Sequence, residues 1–344
     1  MRQLGYGQMV IRQSDLASFM YCGMQQHLDD VAKDGGYVER RLSQTIFGTV
    51  MHYAGQHLQL LHHQGAADAL DRALATFEHY WHPDHVDEVA DGRVTDWLPG
   101  QTWSGMLQRG RRTLRGLYEW LQKDKSTLLA LEHTFTVATV IDGEPVTLTG
   151  TADRLNLRVI DKAPVLGVDD LKTAVKPVWL QHALQWTFYS YASTRPEFWL
   201  DFVEMPAFLE LESRVRSRGL ALWAEPPAED RGLGLDSLAA TVLADAGLAG
   251  RPTLPLAARR GRWLNIRGTS TERPGQDDFK VSDVGWRTPE HYARMHVAIR
   301  EFMKAQRAEV FPLTVSGKTC HYCPWSHGVC GNAPLPEFQE GIDR

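Results

Sequence analysis

Apolar positions at helical spacing dominate the first third of the chain. The N-cap-like start Ser14-Asp15-Leu16 predicts a helix running to Asp30. A second helix is expected from about Ser43, where Phe47, Val50, Met51, Ala54 and Leu58 form a stripe of 3.6-residue period. Further helices are expected over Ala66 to Trp81 and Thr102 to Gln122, the latter bearing Met106, Leu114, Leu117 and Leu121. The pattern then changes to β-rich runs at Leu131 to Ile141, Val146 to Val159 and Val165 to Thr173, the first two joined by the turn sequence Asp142-Gly143-Glu144-Pro145. A small sheet follows from that change of period. A helical stretch from Pro177 to Ser193 and a strand-like run from Phe198 to Phe208 come next. Residues 224–285 are rich in Pro, Gly, Ala and charge and include Arg259-Arg260-Gly261-Arg262. They are expected to be an irregular insertion with one short helix, Ser237 to Ala246. Thr288 to Glu309 reads as helix again, with Pro289 suited to the first turn. The expected units are a helical region over 1–125, a core over 126–223, the insertion over 224–285 and a C-terminal helix with a cysteine-rich tail over 286–344.

With 43% hydrophobic and 23% charged residues, the 344-residue chain has enough apolar side chain for one large core or two modest ones, which excludes disorder. No apolar run reaches the roughly 18 to 20 residues of a membrane span, and the start MRQLGYGQMVIRQSD lacks the stages of a signal peptide. A cytoplasmic location without membrane contact is the expectation. Lys plus Arg number 37 against 42 Asp plus Glu, a net charge of −5, so a nucleic acid would have to be met by a local basic channel. Of four cysteines, Cys320, Cys323 and Cys330 lie close together near one end and Cys22 near the other. In a reducing compartment that layout points to a metal or iron-sulfur site rather than to disulfides.

The stretch richest in chemistry is Gly150-Thr151-Ala152-Asp153, followed after sixteen residues by Asp170-Leu171-Lys172. On a strand, Asp170 and Lys172 project together while Asp169 points to the other face, which favours Asp170 as a metal ligand. Carboxylates from neighbouring strands can hold Mg²⁺ through oxygen, and an ammonium beside them can orient a water or stabilise charge on a phosphate oxygen. Gln185 and Tyr189, at i and i+4, share one helix face. His52 stands on a helix that otherwise reads as buried, and Glu132 opens the first β-rich run.

Taken in order, His52, Glu132, Gly150-x-x-Asp153, Asp170-x-Lys172 and Gln185-x-x-x-Tyr189 make residues 14 to 200 resemble the PD-(D/E)xK nuclease superfamily, in its RecB-like branch. One subset of that branch, the Cas-four-type exonucleases and the AddB nuclease domain, carries one cysteine before the histidine motif and three after the core. Cys22 and the Cys320, Cys323, Cys330 triplet match that layout. Gly23 stands where those relatives commonly have proline, and the last cysteine spacing is six where five is frequent. The resemblance implies an α/β, restriction-endonuclease-like core with a small mixed sheet, an N-terminal helical region and a C-terminal iron-sulfur tail. It implies that the four thiolates hold a 4Fe-4S cluster, although a four-thiolate zinc site uses the same ligands.

Carried over residue by residue, the resemblance makes Asp153 and Asp170 ligands of Mg²⁺ or Mn²⁺, His52 a further ligand and the Leu171 carbonyl a completing one. Lys172 would position or activate the attacking water, and Gln185 and Tyr189 would orient the lysine and the DNA strand. The function implied is a metal-dependent DNA exonuclease acting on single-stranded ends, 5′ to 3′ by resemblance, in recombination, repair, phage replication or CRISPR adaptation. Its partners would then include a helicase, a recombinase or CRISPR adaptation proteins, since no Walker motif is present for unwinding. The alternative is a cleavage-inactive DNA-binding or recombination accessory protein that keeps a structural Fe-S or Zn site. Trp179, Trp186 and Trp263 are candidates to stack bases, and core packing accounts for tryptophans equally well.

Overall fold

The computed structural model describes residues 9–31, 42–86, 95–98, 100–160, 163–173, 179–202, 260–266, 279–287 and 289–314, with isolated positions between and beyond them that include 223–224, 254–255, 320, 323–325 and 330. The chain enters through a strand, β1 (Met9–Arg12), which leads directly into α1 (Gln13–Tyr21). The helix expected to run unbroken to Asp30 is split at Cys22, whose backbone is extended (φ −161°, ψ 116°), and resumes as α2 (Gly23–Val31). The break occupies one residue, because the Cys22 N–H still donates to the Ser18 carbonyl and its own carbonyl accepts from the Gln26 N–H. Ser14 is not the cap: Arg12 holds that position, and the Ser14 hydroxyl bonds Asp15.

The amphipathic stripes expected further on form α3 (Ser43–His63), α4 (Ala69–Tyr80) and α6 (Trp103–Lys123), with a single-turn α5 (Pro83–Val86) between the last two. Their apolar faces meet in one cluster around Phe47, Met51, Leu58, Phe77, Trp81, Leu114 and Leu117. The Thr102 hydroxyl caps α6 by accepting the Gly105 N–H at 3.1 Å, which satisfies a donor that the first helical turn leaves free. Trp81 and Trp103 each donate an indole N–H to the other's carbonyl, at 3.1 and 2.6 Å.

The sheet begins with a hairpin of β2 (Thr127–Ile141) and β3 (Glu144–Ile160), whose two-residue loop has positive φ at both Asp142 (50°) and Gly143 (82°). That backbone twist matches the twist of the strands it joins. β2 starts earlier than the apolar run suggested, so Glu132 lies inside the strand. β4 (Ala163–Lys172) pairs antiparallel with β3, while β1 pairs parallel with the opposite end of β3, from Met9↔Val146 to Arg12↔Thr149.

Residues 224–285, expected to be irregular, supply strands. β5 (Trp223–Ala224) and β6 (Leu254–Pro255) form a separate pair, whereas β7 (Arg260–Ile266) runs parallel to β4 and β8 (Phe279–Trp286) antiparallel to β7, giving a mixed sheet of six strands among the described residues. A register shift between Gly261 and Arg262 interrupts the alternation by which such strands are recognised. The expected helix from Ser237 to Ala246 lies outside the described residues.

α7 (Trp179–Ala192) and α8 (Pro289–Ala308) follow the expected spans closely. The run from Phe198, expected as a strand, opens instead with a 3₁₀ turn, Pro196–Trp199, preceded by the extended Arg195. Phe198 and Phe202 pack there against His133, and Phe198 also meets Phe135. Burial of these rings favours the tight turn over a strand's alternation. They belong to a second core formed by the sheet with α1, α7 and α8. Leu171 of β4 reaches the other cluster, among the helices. The end of β4 is fixed from that side, because the Thr173 carbonyl accepts from Arg109 Nη2 of α6 at 2.5 Å and from Gln44 Nε2 of α3 at 3.1 Å. Among the described residues no helix is long and apolar enough to cross a membrane.

Gly110 of α6 faces the Phe77 ring so closely that an added Cβ would overlap it. Replacing a mid-helix glycine by alanine ordinarily stabilises by up to about 1 kcal/mol. Gly110→Ala is expected to act in the opposite sense, destabilising by about 1 to 3 kcal/mol through overpacking. Thermal or denaturant unfolding reads the sign, and a gain in stability would contradict this packing.

Candidate functional site

The β3–β4 ladder ends at the pair Arg154↔Asp169. One step further, Asp153 and Asp170 fall opposite each other in the same register but no longer pair. The strands part there, and the Leu171 N–H donates to Asp153 Oδ2 at 2.7 Å. On the other side of β3, the β2 register passes from Leu131↔Arg154 to His133↔Ala152, leaving Glu132 opposite Asp153 without a ladder pair. Glu132 has φ +49°, a left-handed conformation that costs a non-glycine residue on the order of 1 kcal/mol or more.

α3 supplies His52, with Nδ1 at 3.6 Å from Asp153 Oδ2 and 3.9 Å from Glu132 Oε1. Ligand atoms of His52, Glu132 and Asp153 all lie within 4.8 Å of one another, and all three residues are partly exposed. Asp170 is fully buried beside them. Its Oδ2 meets Lys172 Nζ at 2.6 Å, and its Oδ1 accepts from Gln185 Nε2 at 2.9 Å. Gln185 also donates to the Tyr189 hydroxyl at 2.7 Å, which in turn donates to the Thr151 carbonyl at 2.7 Å. The pair from α7 thereby fastens Asp170 to the backbone of β3.

Electrostatics follow from this crowding. Burial alone would push the His52 imidazole down, but Glu132, then Asp153 and Asp170, outweigh it and raise it to about 9. Burial raises the carboxyls of Asp153 and Asp170, against the pull of His52 and Lys172 on the first and of Lys172 on the second. Lys172 is likewise raised: burial opposes its charge, and Asp170 and Asp153 more than restore it. Tyr189 stays protonated far into alkali because of its burial and the nearby Asp170. Three carboxylates against one ammonium and one imidazolium leave a negative pocket. Its donor set of carboxylate oxygens and one imidazole suits a hard divalent cation, and Asp170 Oδ2 has acceptor capacity to spare.

The structure thus brings His52, Asp153, Asp170, Leu171, Lys172, Gln185 and Tyr189 to one place. Asp170 stands beside the three residues within mutual ligand distance, His52, Asp153 and Glu132, and Glu132 was absent from the expected ligand set. Its signal was its position opposite Asp153, which only the strand register reveals. Asp169, one residue from Asp170, faces the other way, accepting from Asn156 Nδ2 at 2.7 Å and from Arg158 Nη2 at 2.7 Å. Arg154 joins it at 3.6 Å and also bonds Asp124 and Gln59, which ties the back of the sheet to the helical layer. Burial raises Asp169 to about 6, against Arg158 and Arg154. Trp186 is buried in the core and offers no face to bases, while the side chains of Trp179 and Trp263 lie outside the described residues.

Cys22 and Cys323 are buried and Cys320 and Cys330 partly so, all as free thiols. Burial pushes the Cys323 thiol up to about 11, and Cys22 and Cys330 are close enough to add to the effect. The tail is bound to α2 by other groups as well. Trp325 Nε1 donates to Asp29 at 2.6 Å, Gln306 to Gln26 at 2.6 Å, and His27 stacks on Phe311 at 4.0 Å. A Cβ at position 23 would lie 2.6 Å from Pro312, so glycine beside Cys22 permits this close approach.

Parting strands of a mixed sheet thus set carboxylates and a lysine beside a helical Gln-x-x-x-Tyr pair. The profile of the PD-(D/E)XK nuclease superfamily matches residues 13–331, and the chain belongs to that superfamily, whose members are mostly nucleases that use divalent metals. A search of curated proteins gives no match. Among solved structures, the chain is similar to one titled "Crystal structure of SSO0001", at 10% identity and a TM-score of 0.37, over 98% of this chain and 89% of that one. That likeness is too slight to bear on the site.

The raised His52 has a consequence for the metal-free protein. Its pKa rises from 6.5 unfolded to about 9 folded, so its contribution to stability is complete below pH 6.5 and is lost as pH climbs through about 9. Urea unfolding at pH 6.5 and 9.5 in a chelator should show a fall that is smaller in His52→Gln. An identical fall in both proteins would show that His52 does not carry it.

Proposed function

We propose that the chain is a divalent-metal-dependent DNA nuclease that cleaves single-stranded DNA from its ends, in the RecB-like branch of its superfamily. The observation that carries this reading is the junction at which Asp153, Asp170 and Lys172 meet where β3 and β4 part, with Glu132 and His52 completing an acidic pocket. A cation bound there by Asp153, Asp170, His52 and Glu132 would polarise the scissile phosphate and make its attacking water more acidic. Lys172 holds its proton and presents an ammonium at the pocket, suited to orienting that water and to meeting charge on a phosphate oxygen. Gln185 and Tyr189 keep Asp170 in place, and the Leu171 N–H keeps Asp153 in place, so the carboxylates are set before substrate arrives. Cleavage from 5′ to 3′ is the polarity carried by the resemblance, as are roles beside a helicase, a recombinase or CRISPR adaptation proteins. The intact acidic and basic set speaks against a cleavage-inactive accessory role.

The reading extends to a 4Fe-4S cluster on Cys22, Cys320, Cys323 and Cys330. Mutual influence of Cys22, Cys323 and Cys330 supports convergence of the thiols. Among the described residues no three of the four sulfurs lie within 4.8 Å of one another. A four-thiolate zinc site would use the same four sulfurs. Closing a loop of 297 intervening residues would remove chain entropy from the unfolded state.

End-labelled single-stranded DNA should be degraded with Mn²⁺ and left intact with EDTA. Asp170→Asn and Lys172→Met should each lower the rate by about 100-fold or more, as expected when charge stabilisation at the reacting phosphate is lost. Degradation by the variants at the wild-type rate, or none by any protein, would overturn the assignment. Protein purified without oxygen should be brown and contain iron and sulfide, and Cys22→Ser should lose both the colour and thermal stability. A colourless wild type with one equivalent of zinc would replace the cluster by a zinc site.

A further inference from the structure

The outer rim of the helical layer carries an aromatic surface that neither the core nor the acidic pocket uses. Tyr53, the residue after His52 on α3, is 57% exposed, and its ring stacks on Tyr80 of α4, itself 47% exposed. The ring centroids are 5.9 Å apart and the planes 26° from parallel. The surface continues around the end of α4 into α5, where His79 meets Tyr80 at 5.0 Å and His85 at 4.9 Å. Both histidines are exposed. Contact between α3 and α4 is already secured inside by Phe47, Phe77 and Trp81, all fully buried, so the rim rings are not needed for packing. At 100° per residue, Tyr53 projects little more than a quarter-turn from its neighbour His52 on the same helix.

We propose that Tyr53 and Tyr80, extended by His79 and His85, form a stacking platform for the unpaired bases of a DNA strand whose phosphate lies in the pocket. This inference rests on the reading of that pocket as a phosphodiesterase site. Flat rings presented to water bind other flat rings, and each base offers one whatever its identity. A duplex has its base faces already stacked and presents phosphates and groove edges, for which this surface has little to offer. The charges around it point the same way. Glu78 pairs with Arg111 at 2.8 Å, and Asp84 lies 3.3 Å from His82 Nδ1, so each of these carboxylates beside the rings has a basic neighbour and does not stand alone against an approaching strand. The strand is held there by its bases, and a cation bound in the pocket would hold its backbone.

Fluorescence anisotropy of a labelled oligothymidine, with EDTA present so that no strand is cut, tests the platform. Stacking is worth about 1 to 3 kcal/mol per base, so Tyr53→Ala with Tyr80→Ala should weaken binding by about tenfold or more. Tyr53→Phe with Tyr80→Phe, which keeps both rings, should bind as the wild type does. An abasic strand of equal length should bind wild type more weakly than oligothymidine does, a comparison that needs no variant. It should also bind the alanine variant and wild type alike. Equal affinity of the alanine variant and wild type for oligothymidine, equal weakening on the abasic strand, or no binding of oligothymidine by wild type would each overturn the proposal. Base-dependent binding without any Mn²⁺-dependent cleavage would leave the platform standing and remove the phosphodiesterase reading. Cleavage by wild type together with unchanged binding by the alanine variant would remove the platform alone.

Discussion

The parting of β3 and β4 after Arg154↔Asp169 is the constraint on which the candidate site depends. While two antiparallel strands stay paired, their backbone groups satisfy each other and little room is left between them. Once they part, the Leu171 N–H needs another acceptor and takes Asp153, so one carboxylate is held by the strand that bears the other. Two acidic groups confined in this way resist ionising together. Lys172 offsets part of that repulsion, and α7 anchors Asp170 through Gln185 and Tyr189. What remains uncompensated is what a cation would meet.

Alternation along β4 divides two duties between neighbouring residues. Asp170 and Lys172 serve the pocket, while Asp169 and Leu171 join the sheet to α3 and α6, Asp169 through Arg154 and Leu171 through apolar contact. Asp169 is engaged by Arg158, Arg154 and Asn156, which hold the strand on the side away from the pocket. A site that must keep carboxylates close against their repulsion benefits from a backbone that cannot yield.

Side-chain parity and helical spacing made much of this legible. The parity argument separates Asp170 from Asp169, and the i, i+4 spacing of Gln185 and Tyr189 predicts their common face, because both depend on local geometry alone. Glu132 was legible as a member of the superfamily pattern but not as a neighbour of His52 and Asp153, since its left-handed backbone and its place opposite Asp153 arise from strand pairing. The same limit hid β7 and β8, whose register shift disrupts a simple alternation, and the 3₁₀ turn at Pro196–Trp199, where burial of Phe198 and Phe202 overrides their β propensity. The split of the first helix at Cys22 had no local signal either. Gly23, beside the break, leaves room for Pro312, which comes in from much later in the chain.

The partner of β4 on its outer edge, β7, begins at residue 260, long after β4 ends at Lys172. During synthesis the ribosome must therefore make close to ninety more residues before that edge can be covered. Until then the strand that bears Asp170 and Lys172 is open to any other extended chain that meets it. The nascent protein would depend in that interval on a chaperone or on the speed of elongation, and a message cut short within it would yield a product prone to self-association.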